Sequence, residues 1–461
     1  MVAPRTDSAT DVARRFTPVA PHTPPPFKAL RTAALAAAGI GLLTVTVLTI
    51  AETPFATLSQ PGGPATFIGT LTGMVGTYLA LLMVLLVSRL APVESVLGQD
   101  GLVRWHRRLA PWPITLLTVH AVSLTLGYAQ AAKTGAVHEF GTLMSGYADV
   151  LAAAVGLGLM LLAGVVSVRA IRQRLRRETW WVIHLYLYLA LALSFAHALV
   201  LGPTFVGHPL TRIVWSVAWA ATAGVVLTFR WVLPLARSLY HDLVVENVYR
   251  EARGVVSISL RGRHLDRLPV HGGQFALWRF MTRGMWWQAH PYSISGLPRS
   301  GHLRLTVKEV GDHSRELASL RPGTRVFFEG PYGAFTARAR HRSKAALVAA
   351  GIGVTSLRTL LEDLPAGTEP VVILRARSAE EMPLRDEIVT LVERRGGTLH
   401  ELYGSRNQHV LDGRRLRRLV PDLVRRDVYI CGPESFVGAL TVIVKSLGVP
   451  EESVHHEAYA L

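Results

Sequence analysis

Apolar residues fall in two regimes along this chain. Up to about residue 235 they form long uncharged runs, and beyond about residue 240 they alternate with polar residues. Six runs, near 32–51, 67–88, 109–128, 149–168, 181–201 and 212–231, reach the roughly 20 residues a helix needs to cross a bilayer. The first is longer than the apolar core of a secretion signal. The preceding "PHTPPPFK" is not a compact basic segment, so the run reads as a retained helix. Residues 1–27 are polar and proline-rich and read as a poorly ordered tail.

Beyond the sixth run, "VVENVYR", "GVVSISLRG", "GQFALWRF", "HLRLTVKEV" and "TRVFFEG" have the period of two expected of strands between turns. Short strands at this spacing predict an antiparallel β-barrel over 240–340. From Lys344, the apolar strands "KAALVAA", "VVILRAR", "HELYG" and "DVYICGP" alternate with helical stretches such as "SLRTLLEDL". That alternation predicts an α/β domain with a parallel sheet over 343–461. The expected architecture is multidomain: a six-helix transmembrane bundle over 28–235, then the barrel, then the α/β domain.

Charge adds a direction. The net charge is +17, and its placement follows the loops. Arg89, Arg104, Arg107 and Arg108 lie between the second and third runs, and Arg169, Arg172, Arg174, Arg176 and Arg177 between the fourth and fifth. The other connections carry little beyond Lys133 and Arg212. The positive-inside rule makes the basic loops cytoplasmic, with both termini and the C-terminal half on that side of a cytoplasmic membrane. Anchoring to anionic membrane lipid explains the same arginines. Nucleic acid is not an expected partner, because the charge tracks topology and not one face of a domain. The single cysteine, Cys431, excludes an internal disulfide framework and a Cys-ligated iron–sulfur cluster.

Histidines inside the apolar runs change the picture most. "HRRLAPWPITLLTVH" places His106 and His120 14 residues apart in the third run, and the fifth run carries His184 and His197 13 apart. Both runs cross in the same direction. His106 and His184 therefore share the cytoplasmic level, and His120 and His197 the far level. At about 1.5 Å per residue the levels are roughly 20 Å apart, a stacking distance for two haems. A neutral imidazole is a good axial ligand for haem iron. Hydrogen bonding between helices is the other reading of membrane histidines. Fourteen residues return to one helix face; 13 do not, so tilt, irregularity or side-chain swing on the fifth helix has to make up the difference. His138 and His208 fall in outer loops and read as solvated. Trp112, Tyr186, Tyr188 and Phe195 read as packing or interfacial residues.

In the C-terminal half, "KAALVAAGIGVTSLRTLLEDL" runs a buried strand through Gly351 and Gly353 into a helix, a place where a pyrophosphate approaches backbone. Ser356 stands where the dinucleotide fingerprint has its third glycine. "HPYSISG" offers Tyr292 for stacking and Ser293 for a ring nitrogen, and "GDHSREL" opens a second short helix. Arg375, Arg377 and Ser378 follow the second strand of the α/β domain, where they suit a 2′-phosphate, so NADPH is favoured over NADH.

The motifs "HPYSIS", "GPYG" (Gly330 to Gly333) and "CGP" (Cys431 to Pro433), in this order, resemble those of ferredoxin–NADP⁺ reductase-like flavoproteins. The histidine spacings resemble those of the ferric reductase and NADPH oxidase superfamily. The resemblance implies FAD on His290, Pro291, Tyr292 and Ser293, with its phosphates at Lys308, Gly311, Asp312 and Ser314. It implies NAD(P)H pyrophosphate at Gly351, Gly353 and Thr355, and nicotinamide beside Cys431, Gly432 and Pro433. It matches Tyr459 to an aromatic over the flavin, which makes Cys431 and Tyr459 the expected catalytic residues. It matches His106, His120, His184 and His197 to the ligands of two b-type haems. The glycine motif of the family ends in proline; Ser356 departs from it. The implied function is electron transfer from cytosolic NADPH through FAD and haem to oxygen, a ferric chelate or a periplasmic electron-accepting protein. A membrane-anchored flavin reductase serving a separate protein, and a non-enzymatic redox sensor or transporter, are the alternatives.

Overall fold

The computed structural model describes residues 27–90, 93–94, 99–201, 205, 208–405 and 411–459. The expected tail lies, except for Phe27, outside the described residues. The chain divides into a helical unit, Lys28–Arg230, and a sheet-rich unit that begins at Trp231.

The helical unit contains α1 (Phe27–Ala51), α2 (Gly63–Leu86), α3 (Pro111–Ala132), α4 (Ala148–Ser167), α5 (Arg177–Leu201) and α6 (Pro209–Leu227). Among the described residues, six helices are long and apolar enough to span a membrane. The third apolar stretch is longer than the sequence pattern predicts, Gly101–Ala132. A helix over Gln99–Leu109 precedes α3, and its polar first turns hid it from a hydropathy reading. An unpredicted helix, Ala136–Gly146, carries the exposed His138 between α3 and α4.

Close packing in this unit depends on small residues. Gly69, Gly73 and Gly76 are buried at helical spacing along α2. A Cβ on Gly69 would stand 2.7 Å from the Leu124 side chain, and one on Gly73 would strike the ring of His120. The glycine stripe thus lets α3 approach α2 and leaves room for an imidazole between them.

In the second unit, α7 (Leu233–His241) leads into six strands: β1 (Leu243–Ala252), β2 (Val255–Arg261), β3 (Phe275–Phe280), β4 (His290–Arg299), β5 (His302–Lys308) and β6 (Arg325–Tyr332). A short helix, α8 (Asp312–Glu316), lies between β5 and β6. The strands run antiparallel in the order β1-β2-β5-β4-β3-β6, and β1 pairs again with β6 to close the barrel. Alternating side chains, among them Leu243, Ile258, Trp278, Phe280 and Leu305, fill its interior. The flavin-motif strand β4 sits between β3 and β5, paired on both sides.

The α/β domain follows as β7 (Lys344–Ala350), α9 (Val354–Asp363), β8 (Val371–Ala376), α10 (Arg385–Arg394), β9 (Thr398–Tyr403), α11 (Gly413–Leu419), β10 (Arg426–Pro433), α12 (Glu434–Ser446) and β11 (Val454–Tyr459). The parallel sheet has the order β11-β10-β7-β8-β9, so the chain reverses its winding between β7 and β10. Ligands bind at such switch points, beyond the carboxyl ends of the strands. Strand β11 was not anticipated; "VHHEAY" has two adjacent histidines and no clean alternation.

Helix α9 joins the barrel to the α/β sheet. Thr359 Oγ1 donates to Ile294 O at 3.0 Å and accepts from Gly273 N–H at 3.0 Å, while Asp363 accepts from Gly272 N–H. Beside it, Glu387 of α10 takes a bidentate pair of bonds from Arg304 of β5 (2.6 and 2.8 Å) and a third from Arg358 of α9 (2.8 Å). Burial pushes the Glu387 carboxyl up, but the two guanidiniums outweigh it and hold it below the usual carboxylate range. The stabilisation is therefore present above the unfolded value of about 4.3 and is lost as pH falls through the folded value. Glu387→Gln should cost about 1–3 kcal/mol, the worth of charged hydrogen bonds. In calorimetry the unfolding midpoint of the sheet-rich unit should drop by a few degrees at neutral pH, with a shallower acid dependence below pH ~5. An unchanged midpoint and acid dependence would show that this junction is not a stabilising link.

Candidate functional site

In the helical unit the four membrane histidines meet in two pairs. The ring centres of His106 and His184 are 6.2 Å apart, and those of His120 and His197 are also 6.2 Å apart. His106 Nδ1 lies 3.3 Å from Met83 O, and His120 Nδ1 lies 2.8 Å from Gly69 O. A carbonyl only accepts, so each Nδ1 carries the proton and each Nε2 keeps its lone pair. Met83 and Gly69 are 14 residues apart on α2, which sets the two levels about 21 Å apart at 1.5 Å per residue. The Nδ1 atoms of His184 and His197 are buried with no hydrogen-bond partner among the described residues.

This arrangement fits haem. Two imidazoles that share one metal, with bonds of about 2 Å and roughly 1 Å more to each ring centre, have centres about 6 Å apart. No cluster of three or more His, Cys, Asp or Glu able to hold a metal occurs among the described residues. Two protein ligands are too few for a bare ion but suffice for an iron that brings its own four equatorial nitrogens.

The 13-residue spacing needs no break in α5, which is continuous from Arg177 to Leu201. The interruption lies on the partner. Pro111 and Pro113 cannot donate to the helical ladder between His106 and His120. The aromatic neighbour of the inner pair is Trp180, stacked 4.9 Å from His184 and covered by Arg172 at 4.4 Å. Sequence reasoning did not single it out. Trp112, Tyr186 and Tyr188 are exposed, and Phe195 packs on Trp219.

In the sheet-rich unit, β4 carries the flavin motif. His290 and Tyr292 join His313, the first two rings 6.2 Å apart and His290 only 3.7 Å from His313. Tyr292 OH and His313 Nδ1 are hydrogen-bonded at 3.1 Å. His313 is a further candidate; only its position in "GDHSREL" could have flagged it. Pro291, Lys308 and Asp312 are exposed. Ser314 Oγ accepts from the N–H groups of Val310 and Gly311 and donates to Gly311 O, so it shapes the turn.

At the switch point, Gly351 has φ +57° and Gly353 abuts β10. A Cβ on Gly353 would lie 2.6 Å from Cys431 O and 2.9 Å from Gly432 N. The second glycine is thus needed for the packing of this loop on β10. Thr355 donates to Ile352 O within the loop. Strand pairing sets Cys431, Gly432 and Pro433 beside Glu457, Ala458 and Tyr459. Ser293, Ser356 and Tyr459 join their hydroxyls here at 2.6–3.0 Å. Burial pushes the Cys431 thiol and the Tyr459 hydroxyl well above their ordinary values, and the nearby Glu457 adds to both. Both stay protonated at neutral pH. Arg375 donates to Ser405 O at 3.3 Å, and Arg377 is exposed just beyond β8.

Residues 72–195 match the model of the ferric reductase-like transmembrane component, and residues 251–336 match that of an FAD-binding domain. Ferredoxin–NADP reductase B of Sorangium cellulosum (strain So ce56) is 32% identical over 36% of this chain and 77% of its own. Over its C-terminal half the chain belongs with the ferredoxin–NADP reductases, and it joins that module to a ferric reductase-like transmembrane component. A flavohemoprotein of Bacillus subtilis (strain 168) is 26% identical over 48% of this chain and 59% of its own. The FAD/NAD-binding domain of a nitric oxide dioxygenase from Vibrio cholerae aligns with 48% of this chain and 98% of its own, at 20% identity and a TM-score of 0.40. The protein is a multi-pass membrane NAD(P)H oxidoreductase with an FAD-binding module.

The backbone contacts of Gly353 with β10 lead to a test of the glycine loop. Gly353→Ala should force the loop away from β10 and weaken NAD(P)H binding about tenfold or more, since both close contacts are backbone atoms. Flavin content should stay at the wild-type level. Nucleotide titration alongside flavin absorbance checks this, and wild-type affinity in the variant would refute it.

Proposed function

We propose that this protein moves electrons across the cytoplasmic membrane, from NADPH in the cytosol to an acceptor on the far side. The two imidazole pairs, one at each level of the bundle, carry this reading; a reductase whose chemistry ended at the flavin would not need them. Ionisable groups at such depth are expensive and mark function. Both termini are cytoplasmic in this reading, as the basic loops holding Arg104, Arg107, Arg108 and Arg169 indicate.

Bound between the paired histidines, two b-type haems would supply one-electron chemistry. FAD would convert a hydride into single electrons. The chain's part is to hold and orient. His106 and His184 make the cytosolic level, and His120 and His197 the far level. The carbonyls of Met83 and Gly69 fix the ring tautomers from behind, as partners of metal-binding histidines commonly do. Tyr292 and Ser293 line the flavin ring, with His290 and Pro291 beside them. Lys308, Gly311, Asp312 and Ser314 form the phosphate end. Gly351, Gly353 and Thr355 receive the nucleotide pyrophosphate, and Arg375, Arg377 and Ser378 the 2′-phosphate. Cys431, Gly432, Pro433 and Tyr459 surround the point of hydride transfer. The acceptor on the far side is oxygen, giving superoxide, a ferric chelate, or a periplasmic electron-accepting protein.

Purified protein should show low-spin b-type absorption, reducible by NADPH, at about two haems per chain. Paired His120→Leu and His197→Leu substitutions should leave one haem and retain NADPH-to-dye activity. Gly73→Val should also lose the far haem, by displacing His120 without touching a ligand. Absence of haem, or an unaltered haem content in these variants, would contradict the assignment.

A further inference from the structure

We propose that Ser356 is a positioning residue: its hydroxyl latches Tyr459 across the route by which nicotinamide reaches the flavin, so that nucleotide binding must first open the latch. The proposal rests on the reading that NAD(P)H meets FAD between β4 and the end of β10.

Three elements that are distant in sequence supply the latch. Ser293 lies on β4, Ser356 is the third residue of α9, and Tyr459 ends β11. Ser356 Oγ donates to Ser293 Oγ at 3.0 Å. Ser293 Oγ and Tyr459 OH are 2.7 Å apart, and Tyr459 OH and Ser356 Oγ are 2.6 Å apart. Each hydroxyl has one proton, and three bonds require three. The ring therefore closes with Ser293 donating to Tyr459 and Tyr459 donating to Ser356. Ser356 is fully buried, so water does not compete for its bonds. Tyr459 is half-buried, whereas both serines are buried, which makes it the member with room to swing. Its strand partner is Pro433, one residue past Gly432, whose backbone packs against Ala350.

The ring thus spans the gap between the flavin-motif strand and the nucleotide strand. A flat group that enters between Ser293 and Cys431 has to part Tyr459 from both serines. A residue without a hydroxyl at this position would leave Tyr459 tied to Ser293 alone. Ser356 trades that looser arrangement for a closed resting state.

The test compares two ligands on the flavin-loaded full-length protein: NADP⁺, which carries nicotinamide, and adenosine 2′,5′-bisphosphate, which does not. NAD⁺ and ADP replace them if these bind more tightly. Ser356→Ala should tighten NADP⁺ about fivefold, the worth of one neutral hydrogen bond. Adenosine 2′,5′-bisphosphate should bind as it does to wild type. Tyr459→Phe, which leaves α9 untouched, should tighten NADP⁺ by about tenfold or more, because two bonds go. A purely structural role for Ser356 would shift both ligands together. Equal shifts, or an unchanged or weaker NADP⁺ affinity in both variants, would overturn the latch. Failure of every nucleotide to bind the wild-type protein would instead overturn the underlying reading, and the latch with it.

Discussion

A polar side chain inside hydrocarbon must find a partner, and four imidazoles in this bundle divide that requirement in an instructive way. Two give their Nδ1 protons to carbonyls of α2 and present the other nitrogen to the partner helix. The other two have no hydrogen-bond partner on Nδ1. Buried orphans are rare, so these two nitrogens mark where the packing of the described residues leaves an imidazole unsatisfied. Much of the unit's packing follows from this. The glycines of α2 bring α3 close enough for the carbonyl bonds, and a side chain at Gly73 would occupy the space of the His120 ring.

The sheet-rich unit has a different constraint. Two binding elements, a closed antiparallel sheet and a parallel one, must meet with their sites facing each other. Helix α9 does this with one set of residues. The glycine loop runs into its first turn, which carries Ser356, and its later turns tie Thr359 and Asp363 to the barrel. Arg358 and Arg304 then share Glu387, so an ion network spans β5, α9 and α10. One helix thereby sets the distance between the glycine loop and the flavin-motif strand.

What was legible in the sequence follows from the range of the interaction. The spans and the strands β7, β8 and β10 could be read because hydropathy is a local signal. The matched histidine pairs could be read because depth in a membrane follows from position along a helix. The way a 13-residue spacing meets a 14-residue one was not legible, since Pro111 and Pro113 modify the partner helix and not α5. Strand β11 escaped because its pairing with β10 sustains it, with little alternation of its own. Ser356 stood out as a departure from a motif, but its bonds join residues 63 and 103 positions away, and no local pattern reports them. Trp180 and His313 escaped for the same reason: each gains its meaning from a ring brought in by another element.

The central claim is that reducing equivalents leave on the opposite side of the membrane from the one where they enter. Sealed vesicles holding the protein in one orientation test it, with NADPH supplied only on the face that bears the flavin module and a membrane-impermeant ferric chelate or oxygen-derived superoxide probe trapped inside. The account predicts reduction of the trapped acceptor at a rate that follows NADPH consumption and disappears when His120 and His197 are replaced. Reduction only of acceptors placed on the same face as NADPH would contradict it.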